Sequence, residues 1–352
     1  MGGTMRIAKL TTLLSIFMCA LSFPATLIAH HSDAGMDENV VISFEGQVTE
    51  FLWRQPHVYL SVETMNSGEA VVWDLQLAGI NSLARNRGWN AETFLPGDEV
   101  FVRVNPAING RPYGKISSVE RLDGVSLDNR PDSAPVERVA AETLDGFWLA
   151  DRSRAGPSYP GGFDGFFHAH LVPTEAGQAA QDAYDPLSAE NPESTCVGRP
   201  TPSAFVSTSG YLMEFDLANQ DEVIIINSEW YNEQRFVYMD GRDHPDPSIT
   251  FATGHSIGYW ENDILVIDTR NFDDHRSPYQ IGIPSGSQKH VVERYRLIEG
   301  GTAMTAEFML SDPEYLAEPM LHSRILLHSP HMQMLGTDCD LESTSRLLRA
   351  GG

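Results

Sequence analysis

The stretch GHSIGYWENDILVIDTRNF, residues 254–272, decides the fold class. Ile264-Leu265-Val266-Ile267 is a short run of β-branched and aliphatic residues, preceded by Asn262-Asp263 and followed by Asn271. Such a run between turn residues reads as a buried strand. A partner strand over residues 256–260 reaches it through the connection Glu261-Asn262-Asp263. His255, Asp268, Asp273, Asp274 and His275 stand at the two ends of this unit. They either line the mouth of a cavity or are ordinary turn residues.

The same grammar continues on both sides. Strands are expected over 211–216, 222–226 and 235–239 upstream, and over 290–297, 303–310, 324–328 and 331–335 downstream. Glu299-Gly300-Gly301 supplies a hairpin turn. Eight or nine successive strands without intervening helices predict an antiparallel barrel or sandwich over residues 201–350. A lipocalin-like barrel is favoured because its interior can hold an apolar ligand. The alternative is a β-sandwich with no cavity.

Residues 30–130 form a second, smaller β unit. Strands are expected near 47–53, 58–62, 70–77, 99–104 and 115–122, with one short helix over 80–87. Apolar and polar positions alternate imperfectly over 47–53. Five or six strands and one helix in so short a span predict a small barrel that resembles an oligonucleotide-binding (OB) barrel. Pro131-Asp132-Ser133-Ala134-Pro135 marks an exposed boundary, and residues 131–200 read as a linker and wrapping segment. A short helix follows Thr174, and Phe166-Phe167-His168-Ala169-His170 reads as a strand that puts His168 and His170 on one face.

The chain opens with a targeting pattern. Arg6 and Lys9 precede an apolar run over residues 10–23, and Pro24 and Ala29 follow it. A secretory signal peptide over residues 1–29 is expected, and with it a periplasmic or secreted protein. No later stretch is long and apolar enough to predict stable membrane insertion. The net charge is −24, and removing the leader takes Arg6 and Lys9 but no acid, which leaves −26. A surface this acidic repels nucleic acid. Two cysteines remain, Cys196 and Cys339, and an oxidising compartment predicts a disulfide between them.

Two resemblances carry more of the chain. His30-His31-Ser32-Asp33, Gly46-x-Val48 and Trp53-x-x-Pro56-His57 are similar to a family of exported bacterial proteins of unknown function, over roughly residues 29–127. Here Arg54-Gln55 precede Pro56, where that pattern has asparagine. The motifs Asn191-Pro192-x-x-x-Cys196, Met239-Asp240-Gly241-Arg242-x-His244-Pro245 and Gly254-His255-Ser256-Ile257-Gly258-x-Trp260 resemble a second exported family over about 142–342. Asn262 and Asn271 stand where that family has glycine. Neither resemblance implies an activity.

The chemistry must then come from the residues. A histidine beside a carboxylate is a proton-transfer pair, and an arginine can clamp a developing anion. His255 as proton carrier, Asp268 or Asp240 as its partner and Arg242 as anion stabiliser are the expected catalytic set. They predict an exported, cofactor-independent enzyme of isomerase, lyase, hydratase or cyclase type acting on an apolar small molecule. The alternative is a non-catalytic small-ligand binding or envelope-associated structural protein. No fingerprint for a nicotinamide, flavin or nucleotide is present. A copper or zinc site on His30, His31 and His57, or on His168 and His170, is the weaker metal reading. Ser256 sits at the centre of a G-x-S-x-G pattern, but the nucleophile elbow needs a strand–turn–helix setting that this all-strand stretch lacks.

Overall fold

The computed structural model describes residues 35–127, 138–154, 162–336 and 338–350. The expected leader and the pair His30-His31 lie outside the described residues, as do residues 131–135 of the boundary.

The first unit is a closed five-stranded barrel: β1 (Ile42–Leu52), β2 (Tyr59–Asn66), β3 (Glu69–Gln76), β4 (Glu99–Pro106) and β5 (Tyr113–Arg121). The strand order is β1-β2-β3-β5-β4, closed by β4 against β1. A single helix, α1 (Ile80–Arg87), joins β3 to β4. This is the OB-like arrangement expected. The imperfect alternation of residues 47–53 has a physical cause. The pairing of β1 with β2 shifts register between Val48 and Glu50, so Thr49 is an extra residue. Such a bulge switches the face on which later side chains emerge. Val48 accordingly joins the barrel core with Leu60, Val62, Leu75, Val100 and Val102, whereas Leu52 packs outside with Tyr59 and Tyr113.

The second unit is a closed barrel of nine strands: β6 (Gly146–Ala150), β7 (Met213–Asp216), β8 (Val223–Ser228), β9 (Glu233–Tyr238), β10 (His255–Glu261), β11 (Ile264–Arg270), β12 (His290–Ile298), β13 (Ala303–Ser311) and β14 (Met320–His328). Its first strand lies inside the stretch read as linker and wrap, and β14 pairs with it. Residues 331–335, expected as a final strand, form none. Closure excludes the sandwich alternative. All neighbours are antiparallel except β9 and β10, which run parallel through Ser256↔Val237 and Ile257↔Tyr238. A parallel pair needs a crossover, and residues 239–254 supply it.

Between β6 and β7 the chain forms α2 (Gly162–His170), α3 (Glu175–Asp182) and α4 (Ser203–Ser207). Phe166 and Phe167 from α2 and Phe205 from α4 enter the barrel core with Trp148, Phe215, Tyr295 and Phe308. At roughly 1.5–3 kcal/mol for each large apolar side chain removed from water, this interior is the main stabilising term of the unit. The interior is therefore packed, and the concavity lined by Thr201, Phe205, Met213, Glu233 and Arg235 holds only about 20 Å³. Because α2 is helical, His168 and His170 do not share a face as a strand would have placed them. Among the described residues no three His, Cys, Asp or Glu side chains are arranged to hold a metal ion.

The two barrels are joined by a C-terminal strap. Cys196 bonds Cys339, which sets the following helix, α5 (Leu341–Arg346), against the outer face of the small barrel. Ser343 Oγ donates to the His57 carbonyl at 2.6 Å, and Arg346 Nη1 reaches Asp74 Oδ1 at 2.9 Å. Arg346 also lies 5.4 Å from the Tyr59 ring centroid. On the other side of the junction, Arg85 of α1 makes a two-pronged pair with Glu229 at 2.6 and 2.7 Å. The face of β2 and β3 that OB barrels use for ligands is thus partly covered by the chain's own C-terminus.

Candidate functional site

The polar residues singled out in the sequence separate into two sets by strand parity. Along β11, Leu265, Ile267 and Thr269 point into the barrel, so Asp268 points out. Along β12, Val291, Glu293 and Tyr295 point in, so His290 and Arg294 point out. His255, paired with Arg270 at the start of β10, is also external. The expected convergence on a barrel mouth is replaced by an outer cluster and an inner one.

The outer cluster is a chain of hydrogen bonds. His255 Nδ1 lies 3.0 Å from His244 Nδ1, and His244 Nε2 lies 3.0 Å from Asp268 Oδ1. His290 Nε2 meets the other oxygen of Asp268 at 2.9 Å, and Arg270 Nε donates to Oδ1 at 3.0 Å. Burial works to raise the Asp268 pKa, but the donors His290 and Arg270 outweigh it and hold the carboxyl well below the usual range. Burial, then the nearby His244 and Arg242, lower the His255 pKa. The His255 ring is stacked on Tyr238 and flanked by Phe251, and the residue is only 7% exposed. Asp240 and Arg242 form a mutual, exposed pair at 2.6 Å, and the guanidinium lies 3.9 Å from the centroid of Tyr238, the ring that also stacks on His255. The hydrogen bonds from Arg242 lower Asp240 to about 2.

What holds this cluster is the crossover. Asn271 Nδ2 donates to the Asp246 and Ile249 carbonyls at 3.0 and 2.9 Å. Asn262 and Asn271 both have left-handed backbone, with φ of 56° and 57°. Asparagine tolerates that region better than most residues, which reconciles both positions with the glycine of the resembling family. At Asn271 the side chain adds bonds that glycine cannot make. The glycines of GHSIG serve packing. A Cβ on Gly254 would lie 2.7 Å from Thr269 Cγ2, and one on Gly258 would lie 2.6 Å from Met239 Sδ. Ser256 is inaccessible and bonds Thr269 Oγ1 at 2.9 Å inside the barrel, as expected for a strand serine rather than a nucleophile.

Of the inner cluster the sequence pointed to Glu293 and His275, but not to Arg235, Glu233 or Lys289 as their neighbours. Arg235 and Glu293 form a buried ion pair, completed by Tyr295 OH at 2.7 Å and Thr201 Oγ1 at 3.1 Å from Glu293 Oε1. At one end of the barrel, burial lowers Lys289 to about 7 against the pull of Asp312 and Glu233. Burial raises Glu233 to about 8 against Arg199, Arg235 and Lys289. His275 donates from Nε2 to the Gly198 carbonyl at 2.9 Å and accepts from Ser277 N at Nδ1. Burial lowers it from 6.5 to about 4.

That last shift has a measurable consequence. The unfolded chain protonates His275 near pH 6.5 and the folded chain near 4, so stability is present above 6.5 and lost as pH falls to 4. The full effect is on the order of 3 kcal/mol. Urea midpoints should fall between pH 7 and 4.5 in the wild type and fall less in His275→Gln. Equal slopes would contradict the assignment. Burial lowers His322 to about 4 as well, so the variant keeps part of the slope. Glu233 acts in the opposite direction, since its raised pKa favours the folded state as pH falls from 8.

An open groove lies elsewhere on the larger barrel. It holds about 540 Å³ on the β12–β14 sheet and is lined by Val292, Arg294, Glu307, Met309, Leu321 and Ser323 among others. Cross-strand partners Asp268↔Val292, Val292↔Met309 and Met309↔Leu321 place its apolar row in line with the outer cluster. Leu321 is 73% exposed.

Residues 18–116 match a family of unknown function (DUF6152). The match covers most of the small barrel and stops short of the larger one, so the similarity bears on the first unit only. No curated protein matches the chain. Among the described residues no helix is long and apolar enough to cross a membrane.

Proposed function

We infer that the chain is a non-catalytic binding protein that takes an apolar small molecule on the outside of its larger barrel. The observation that carries this reading is the contrast between a filled interior and the open 540 Å³ groove beside Leu321. That volume is within the range of small-molecule sites. Val292, Met309 and Leu321 supply an apolar floor, and Arg294 and Glu307 supply charged walls that orient a polar end.

The acid–base reading rests on the chain His255–His244–Asp268–His290. Against it, neither His255 nor Asp268 lines the open groove beside Leu321. His255 is enclosed by Tyr238 and Phe251, and Asp268 is committed to three donors. The cluster's evident work is to tie the crossover to the barrel.

The test is incubation with an extract of the source cell, followed by mass spectrometry of retained and altered compounds. A compound retained unchanged by the wild type and lost from Leu321→Glu, at least about tenfold as a buried charge opposes apolar contact, is the expected result. A compound converted by the wild type but not by His255→Ala would establish the enzymatic reading instead. Retention of nothing by the wild type would leave the structural role.

A further inference from the structure

We propose that the groove between α1 and β5 of the small barrel is a second binding site, for a hydroxylated organic carboxylate such as a sugar acid. It lies on a different barrel from the apolar groove and does not depend on that reading. Its volume is about 440 Å³, and Ser82, Asn86, Arg87, Trp89, Ser117 and Ser118 are among its lining residues.

Charge is the first observation. The chain carries 48 acidic side chains against 24 lysines and arginines, yet no carboxylate lines this groove. Arg87 is exposed on the last turn of α1, with its guanidinium 5.5 Å from the Trp89 ring centroid. Among the described residues it has no ion-pair partner. Arg152, which follows β6 of the larger barrel, reaches across to Asn86 Oδ1 at 3.5 Å and to the Ser209 carbonyl at 2.9 Å. It too has no carboxylate partner among the described residues. Arg103 donates to Ser118 Oγ at 3.2 Å, and its carboxylate partner is the exposed Glu120 at 3.4 Å. Arg87 thus lines the groove, and Arg103 and Arg152 are each hydrogen-bonded to one of its lining residues, Ser118 and Asn86. On so acidic a surface, such a local excess of cations attracts an anion.

The lining chemistry narrows the anion. An arginine fork matches a planar carboxylate through two parallel hydrogen bonds. Around it stand three hydroxyls and an amide. Asn86 Nδ2 already donates to Ser82 Oγ, and Ser117 Oγ to the Arg103 carbonyl. Those bonds leave the Ser82 and Ser118 hydroxyl protons and the Ser117 lone pairs to meet ligand hydroxyls. An apolar carboxylate would desolvate these groups without pairing them, which is costly. A neutral sugar would satisfy them but leave the cations unused.

The experiment is a calorimetric titration of the full-length protein with glucuronate, glucose, acetate and inorganic phosphate, repeated with Arg87→Gln and Arg87→Lys. Both substitutions are at an exposed position, and urea midpoints would verify that folding is intact. Saturable glucuronate binding is expected, about tenfold or more tighter than glucose or acetate, since each lacks one half of the contacts. Arg87→Gln should weaken it about tenfold or more, and Arg87→Lys by less, because lysine keeps the charge and loses the fork. Absence of saturation, an unchanged affinity in Arg87→Gln, or phosphate binding as tightly as glucuronate would each overturn the proposal.

Discussion

Arg235→Met should destabilise the protein by about 3–5 kcal/mol, the usual cost of stranding one member of a buried ion pair. Glu293 is 0% exposed and Arg235 6%. With the guanidinium gone, Glu293 keeps only the hydroxyls of Tyr295 and Thr201, which do not balance its charge. The loss should be visible as a large fall in the urea midpoint. The double variant Arg235→Met/Glu293→Leu should recover much of it, because replacing both partners removes the stranded charge. A single variant that costs less than about 1 kcal/mol would show that water reaches the pair and that the interior is not packed as described.

Opening the disulfide should have the next largest effect. Cys196 and Cys339 are 143 residues apart, and closing so long a loop restricts the unfolded chain, with a stabilisation of about 2–5 kcal/mol. Cys339→Ser should therefore lower the urea midpoint. The consequence should also be local, because Cys339 precedes the strap that carries Arg346 onto Asp74. Limited proteolysis should cut near residues 336–350 in Cys339→Ser at protease levels that leave the wild type intact. Unchanged midpoint and unchanged cleavage would mean that the hydrogen bonds of α5 alone hold the strap.

These two features differ in how far the sequence shows them. The cysteine pair was legible, because only two cysteines, Cys196 and Cys339, lie outside the expected leader and they leave one pairing. The strand series was legible too, since turn residues punctuate it. Asp268 shows where legibility ends. Ile264-Leu265-Val266-Ile267 is apolar on both faces, so the run identifies a strand but not which side is the interior. Without that parity, His255, Asp268, His290 and Glu293 cannot be sorted into an outer and an inner set. One signal was available for Glu293, since Val291 and Tyr295 share its period-two face. Residues 141–149 read as a short strand or turn leading into the larger unit, but the place of β6 between β14 and β7 was hidden, because Gly146–Ala150 is short and precedes a long helical insertion. The parallel closure of β9 on β10 was hidden because its crossover, residues 239–254, reads as a polar loop. His244 belongs to that crossover, and only the closed barrel brings it between His255 and Asp268.

The proposed placement of a ligand outside the barrel can be tested with the protein's own methionines. Met309 borders the outer groove, while Met213 and Met304 lie in the barrel core. Methyl-labelled methionine NMR, with the compound retained from the extract added stepwise, distinguishes the two places directly. Saturable shifts at the Met309 methyl with Met213 and Met304 unmoved are the expected result. Shifts centred on Met213 and Met304, with Met309 unchanged, would place the ligand inside the barrel and contradict an external site.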